Sequence, residues 1–485
     1  MSLSEGFSRP LLAYRDGRLA MDGVALADLV DQHGTPFFLV SERRLVENFR
    51  ALEAGLSSAG SDVVLRYCAK SNNEAGVLRV LGREGAALLA SHLAEVDLAL
   101  ACGFPPERIA YQRPAAPAAE IAAVLDRGVS FLHVFRPEEM VRLATIAERD
   151  GRAVQVSLRL RDDPPRRPVP RAPLASLNAR LGLSLAEAVA VARDLRKWRK
   201  DRRGCDVRIV ALNAYIGTQQ RGATAFDGAL RHTCELAHTL RREGLAEIEE
   251  INLGGGVPSP TMRRLGLRDL WARWRDRPLA TETRRFATGA RGARREFVPA
   301  GGDAPEHLAA FGRQLAERFR IAGTLAGLAK LPRLAAEPGR SIVGNAAIVV
   351  SRVVDAQGRW LFLDASRNFL GESPLLFSRA ILPLRRDDRV PAERYFHLSG
   401  CTLNTTDVLD LRRRLPALHA GDALAFCDAG AYSISRATRY AGMAPPVFLQ
   451  RADGSVHLIR RAEGVAELSG PMLPALAPSA DDSRT

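Results

Sequence analysis

From about residue 41 to 344 the chain alternates short β-rich runs with amphipathic helical stretches, and that alternation restricts it to folds built on a parallel sheet. The strand candidates are VVLRYCAK (63–70), ALLAS (87–91), RIAYQ (108–112), SFLHV (130–134), AVQVSLRL (153–160), VRIVALNAY (207–215), EEINLGG (249–255) and RLAAEPG (333–339). Between the first two, EAGVLRVLGREG (74–85) sets Val77, Leu78 and Leu81 on one helical face, with Gly85 as its stop. Eight βα units match a closed (β/α)₈ barrel of the TIM type, although a doubly wound open sheet accepts the same repeat.

After residue 344 the pattern changes to short strand-like runs separated by turns, as in IVVSRVVDAQGRWLFLDAS and PVFLQRADGSVHLIRRAEG. That reads as a β domain of sandwich or barrel type over 345–469. Residues 1–40 have hairpin character and are expected to join its sheet. An Arg/Gly/Pro-rich insertion at about 258–303 reads as an excursion at a barrel mouth, and 470–485 as a disordered tail.

Composition removes several function classes. No apolar run is long enough to span a bilayer, and the first residues lack the apolar core of a secretory signal, so a cytoplasmic protein without membrane contact is expected. Six dispersed cysteines without CxxC spacing supply neither a disulfide framework nor a structural zinc site, and no metal is expected. The net charge of +14 raises the question of nucleic acid. However, the basic residues are almost all arginine, they cluster in two segments, and no nucleic-acid-binding motif accompanies them. Nucleic acid is therefore not an expected partner.

In such a barrel the chemistry sits at the C-terminal ends of the strands, and phosphate sites favour the loops after strands seven and eight. Here the first strand ends at Lys70, the sixth runs into Tyr215 to Gln219, the seventh into Gly254-Gly255-Gly256, and the eighth into Glu337-Pro338-Gly339-Arg340. The glycines let backbone N–H groups approach an anion, and Gly339-Arg340 adds donors and a permanent cation. Lys70 is one of only four lysines, with Lys197, Lys200 and Lys330. On this rim it is placed to form a Schiff base with a phosphorylated aldehyde, its pKa expected to be depressed by apolar neighbours and a nearby cation. Taken singly, the glycines also read as a tight turn, Lys70 as a strand-end lysine reaching solvent, and Cys401 as a buried strand cysteine.

The segment YCAKSNNEAGVLRVLGREGA resembles the lysine-bearing segment of the fold type III pyridoxal phosphate (PLP) decarboxylases, the family of diaminopimelate, ornithine and arginine decarboxylases. The resemblance continues through GFPPERIAYQRP, INLGGGVP, EPGRSIVG, SGCTLNTTDVL and GDALAFCDAGAYSISRATRY, in the family's order, over roughly residues 35–465. It implies an alanine racemase-like fold, pyridoxal 5'-phosphate as cofactor, and a homodimer with active sites at its interface. It further implies Lys70 as the Schiff-base lysine; Gly254, Gly255, Gly256, Gly339 and Arg340 around the phosphate; and Glu337 at the pyridine nitrogen. Tyr432 is implied near phosphate and substrate, and Cys401 as the group that returns a proton across the dimer interface. EPGRSIVG is closer to the diaminopimelate version than to the ornithine one.

The departures from that pattern bear on substrate. Tyr215 stands where a histidine usually stacks on the cofactor, Thr218 replaces a serine, and Leu89 an aspartate. Thr402 follows Cys401 in place of an acidic residue. In FLGESPLLF, Ser373 and Phe377 occupy the positions of an arginine and a tyrosine that hold the distal end of diaminopimelate, with Glu372 and Arg367 nearby. The expected activity is therefore PLP-dependent decarboxylation of an amino acid other than diaminopimelate. The candidate substrate contacts are Arg340, Glu372, Ser373, Phe377, Thr402 and Tyr432. A PLP-dependent racemase and a non-catalytic PLP-binding or partner-binding homologue are the alternatives.

Overall fold

The architecture was analysed in a computed structural model, which describes residues 11–58, 60, 62–161, 181–201, 206–220, 222–259, 261–264, 304–371, 377–386 and 394–471. Glu372 and Ser373, positions 260 and 265–303 of the insertion at about 258–303, and positions 472–485 of the tail at 470–485 lie outside the described residues.

The eight strand candidates form one closed parallel barrel, which settles the choice between closed and open sheet. In order they are Val63–Cys68, Ala87–Ala90, Ile109–Tyr111, Phe131–Val134, Val154–Leu160, Val207–Ala214, Glu250–Asn252 and Arg333–Ala336, the last pairing back onto the first. Alternation along each strand sorts the side chains. Leu65 and Tyr67, Leu132 and Val134, Leu158, Leu212, Ile251 and Leu334 belong to the main apolar core, which includes the surrounding helices. The intervening residues Arg66, Cys68, Phe131, His133, Arg159, Asn213, Glu250, Asn252 and Glu337 then fall on the inward side. Several of these are polar, and all nine are buried.

The ring of helices is closed tightly between its first and last members. Helix Glu42–Ser57 begins at Ser41, whose side chain accepts the Arg44 N–H as an N-cap. It packs against Ala304–Leu325 through facing glycines. A Cβ on Gly55 would lie 2.4 Å from the Ala309 carbonyl oxygen, and one on Gly312 would lie 2.9 Å from Leu56 N. Glycine at both positions thus lets the backbones meet without side chains between them. Both helices flank the junction of the first and eighth strands, from which Lys70 and Glu337 project.

The second unit is a β-sheet domain organised around the long strand Ala347–Gln357. Its first half lies between Phe37–Ser41 and Ala423–Phe426, both antiparallel to it, and its second half pairs with Trp360–Leu363. Arg394–Ser399, Val408–Leu415, Val447–Gln450 and Val456–Arg460 extend the sheet outward. Of the N-terminal residues, Phe37–Ser41 is an integral strand of this sheet. Leu12–Arg15, Arg18–Met21 and Val24–Ala25 form a small antiparallel sheet of their own, tied to the domain by the Leu19 N–H donating to the Leu384 carbonyl at 2.8 Å. Among the described residues no helix is long and apolar enough to cross a membrane.

Candidate active site

The barrel rim brings together most of the residues expected there. Lys70 lies in the single 3₁₀ turn Ala69–Ser71 directly after the first strand, rather than within the strand. The Cys68 N–H donates to the Pro338 carbonyl at 3.0 Å, and Ser71 O accepts the Tyr432 N–H at 2.7 Å. The lysine turn is thereby fastened to the eighth-strand loop on one side and to the β domain on the other. Lys70 stays exposed at the rim, where Cys68, Tyr432, Glu337 and Tyr215 act on its charge. Its pKa is raised, not depressed as expected: the Cys68 sulfur supports the ammonium most, ahead of the opposing effect of burial, and Tyr432, Glu337 and Tyr215 add to it. The reason is that the neighbours are anionic or acidic groups rather than hydrocarbon and a cation. Cys68 itself is buried, which pushes its thiol up to about 11.

Glu337 is the best-organised side chain of the site. It is buried, and its Oε1 accepts from Asn252 Nδ2 at 2.8 Å and from Asn213 Nδ2 at 3.1 Å, with His133 Nε2 at 3.4 Å. Asn213 is itself oriented by Arg159, whose Nη1 donates to its Oδ1 at 2.8 Å. Burial raises the Glu337 carboxyl, while Arg159, Arg66, the Asn252 hydrogen bond and Lys70 pull it back down. The described side chains therefore saturate Oε1 and leave Oε2 for a cationic N–H donor. Burial drives His133 far below the usual histidine range, helped by Arg66 and Arg159, so its ring is neutral.

The glycine turns form a cup beside these groups. Gly254 has φ +61 and Gly256 φ +103, and a Cβ on them would lie 2.7 Å from Ala214 O and 2.6 Å from Gly217 O. Glycine is required at both by conformation and by space. A Cβ on Gly339 would lie 1.9 Å from Ser71 Oγ. Arg340 opens the short helix Arg340–Val343 and is buried, its guanidinium carbon 4.8 Å from the Tyr432 ring centroid and 5.3 Å from that of Phe377. Across the site the Arg159 guanidinium carbon lies 5.0 Å from the Tyr215 ring centroid. Tyr215 thus supplies an aromatic face next to the glycine turn, and Thr218, further along the loop, stays exposed.

These residues meet the demands of a phosphorylated pyridine aldehyde: an amine at the rim, a carboxylate with one oxygen left over, an aromatic face, and a cradle with no Cβ atoms beside a buried arginine. Cys401 and Thr402 stand apart. They follow strand Arg394–Ser399, and Cys401 is exposed rather than buried, its N–H donating to Ala365 O at 3.1 Å. Thr402 donates through its hydroxyl to Asp407 Oδ2 at 2.6 Å and through its N–H at 3.0 Å, and Arg367 N–H donates to Asp407 Oδ1 at 2.8 Å. An acidic residue therefore does organise the cysteine loop, six positions on instead of one. Leu89 packs inside the barrel with Cys68 and Phe131. No group of three or more His, Cys, Asp or Glu side chains among the described residues could hold a metal ion.

Residues 42–270 match the pyridoxal binding domain of pyridoxal-dependent decarboxylases. The chain is 25% identical over 473 residues to a diaminopimelate decarboxylase of Aquifex aeolicus, covering 96% of this chain and 98% of that one. It is 28% identical to that of Pseudomonas aeruginosa, covering 94% and 97%. Among solved structures, diaminopimelate decarboxylase from M. jannaschii in complex with L-lysine superimposes with a TM-score of 0.78 at 21% identity, covering 97% of this chain and 99% of that one. A lysine/ornithine decarboxylase from Vibrio vulnificus complexed with putrescine gives 0.64 at 20% identity, covering 87% and 96%.

Proposed function

We propose that this chain, which belongs to the fold type III pyridoxal-phosphate-dependent decarboxylase family, removes the α-carboxylate of an amino acid that carries no distal carboxylate. The observation that carries the choice of decarboxylation is Glu337, with Oε1 held by Asn213 and Asn252 and Oε2 left over. Pyridoxal phosphate, when bound, supplies an aldehyde that condenses with the substrate amine and a ring that takes up the electrons left by departing CO₂. Glu337 Oε2 would hold a proton on the ring nitrogen and so strengthen that uptake. A racemase works with a weaker electron sink, so a buried carboxylate at this point favours loss of CO₂ over simple proton exchange.

The remaining residues take ordinary physical roles. Backbone N–H groups of Gly254 to Gly256 and of Gly339 hold the phosphate, and the buried Arg340 neutralises it. Tyr215 stacks against the ring. Lys70 Nζ, exposed at the rim, would hold the cofactor through its aldehyde and would serve as a proton carrier. Cys401 Sγ returns a proton to the substrate Cα from the partner subunit of a homodimer. Its exposure on a loop beside the almost fully exposed Leu403 (99%) fits an edge that a second copy covers.

Substrate choice rests on the groups around Phe377 and the cysteine loop. The Arg367 guanidinium donates to Thr406 O at 2.9 Å, and Arg379 is buried with Nη2 donating to Leu370 O at 3.2 Å. One donor of each arginine is taken by a backbone carbonyl, and the acidic Asp407 sits beneath Thr402. A distal carboxylate entering there would meet Asp407 and the Phe377 ring and, left without a matched cation, would cost several kcal/mol. Diaminopimelate, named for the relatives above, is the rival substrate. Incubation of the PLP-loaded protein with an amino-acid panel should give CO₂ and the matching amine, with no interconversion of enantiomers. Its kcat/KM for meso-diaminopimelate should be roughly 10²-fold or more below that for the best substrate lacking the distal carboxylate. Efficient turnover of meso-diaminopimelate would reject the substrate reading, and racemisation without CO₂ would reject the decarboxylase itself.

A further inference from the structure

The root of the insertion at about 258–303 is built into the phosphate end of the site. It leaves the glycine turn Gly254–Gly256 and is fastened at once to three separate elements. From the sixth-strand loop, Gln219 Oε1 accepts the Ser259 N–H at 2.6 Å, and Gln219 Nε2 donates to Met262 O at 3.2 Å and to Ser259 O at 3.4 Å. From the β domain, Asp428 Oδ1 accepts the Thr261 hydroxyl and, at 3.3 Å, the Ser259 hydroxyl. Arg263–Arg264 then pairs antiparallel with Phe377–Ser378, with Arg264 opposite Phe377.

Ser259, Met262 and Asp428 are all buried, so these are interior contacts and not those of a loop resting on the surface. A buried carboxylate is costly without hydrogen-bond donors, and here two hydroxyls from one short stretch converge on one of its oxygens. Ser259 also packs toward the end of the helix that Arg340 opens: a Cβ on Gly344 would lie 3.5 Å from Ser259 Oγ. The stretch is thereby held in one position against the residues around the phosphate cup.

That position sets Met262 on Arg340. Met262 Sδ accepts from Arg340 Nη1 at 3.4 Å, and the Tyr432 and Phe377 ring centroids lie 4.8 and 5.3 Å from the guanidinium carbon. A thioether is a polarisable and weak acceptor, and the rings act through their π faces. These three contacts orient the guanidinium without neutralising it as a paired carboxylate does. We infer that Asp428, Thr261 and Met262 are positioning residues for the cofactor phosphate. The hydrogen bond from Thr261 to Asp428 seats the thioether on Arg340, and the seated thioether aims the guanidinium. The inference rests on the role given above to Arg340.

The test compares the affinity of the full-length protein for PLP and for pyridoxal, which has the same aldehyde and ring but no phosphate, read from the absorbance of the bound ligand. Thr261→Val removes the hydroxyl, keeps the shape and leaves the Asp428 charge in place. It should weaken PLP roughly tenfold, the scale of one buried hydrogen bond, and leave pyridoxal within about twofold. Met262→Ala should do the same, whereas Thr261→Ser, which keeps the hydroxyl, should bind both ligands as the wild type does. A merely structural role predicts equal losses for the two ligands, and equal losses or none would overturn the inference. Should Thr261→Val fail to fold, Met262→Ala alone decides by the same comparison. Arg340→Gln serves as the reference and should erase the preference for PLP. If it does so while the root variants keep that preference, only the inference fails; if it does not, the phosphate role of Arg340 fails with it.

Discussion

Lys70→Ala is expected to lower CO₂ release by roughly 10³-fold or more, the combined scale of losing a covalent nucleophile and a proton carrier. The chain should still fold. Lys70 sits in a one-turn 3₁₀ segment at the exposed rim, and the contacts that fix this turn are made by backbone atoms of Cys68 and Ser71. The variant should therefore melt close to the wild type in the absence of PLP, and should lose PLP on gel filtration where the wild type keeps it. Retention of both cofactor and activity would remove Lys70 from the chemistry.

The second large effect is expected at Glu337. Glu337→Gln preserves shape and leaves Asn213 and Asn252 an acceptor, but removes the charge that we propose keeps a proton on the pyridine nitrogen. A fall in kcat of roughly 10²–10³-fold is expected, the scale of losing one preorganised electrostatic contact in a buried site. KM should change little, because the carboxylate acts on the ring and not on the substrate side chain. The cofactor should remain attached to Lys70. Loss smaller than about threefold would mean that the ring nitrogen is not held by this residue.

The sequence made the barrel and its rim visible for different reasons. Runs such as SFLHV and VRIVALNAY are too short and β-rich for helices, and their regular spacing required a parallel sheet. Lys70 stood out because the chain has so few lysines, and the glycine turns because they follow strands seven and eight, where bare backbone N–H groups can approach an anion. The polar barrel interior was not legible. Arg66 in VVLRYC, His133 in SFLHV, Arg159 in VQVSLRL and Glu250 in EEINL are single polar residues within apolar runs. Nothing local distinguishes an inward-facing one from one that reaches solvent at a strand end. Closure of the barrel decides it, since Arg66 meets Glu250 only when strands one, seven and eight become neighbours. The same blindness reversed the direction of the Lys70 pKa. Its largest cause, Cys68, lies only two residues away in YCAK and reads in the sequence as one more small apolar neighbour, while Tyr432, Glu337 and Tyr215 add to it from elsewhere in the chain. Asp407 escaped notice because an acidic partner was sought immediately after Cys401, while the loop folds back to supply one from six residues further on.

All of these readings depend on PLP being carried by one particular lysine. Borohydride reduction of the PLP-loaded protein, followed by trypsin and mass spectrometry, tests that directly. Trypsin cleaves after Arg66 and Arg79 but not at a modified lysine, so the peptide YCAKSNNEAGVLR should appear uncut and heavier by one pyridoxyl phosphate group. The group on Lys197, Lys200 or Lys330 instead, or no stable incorporation, would contradict the account.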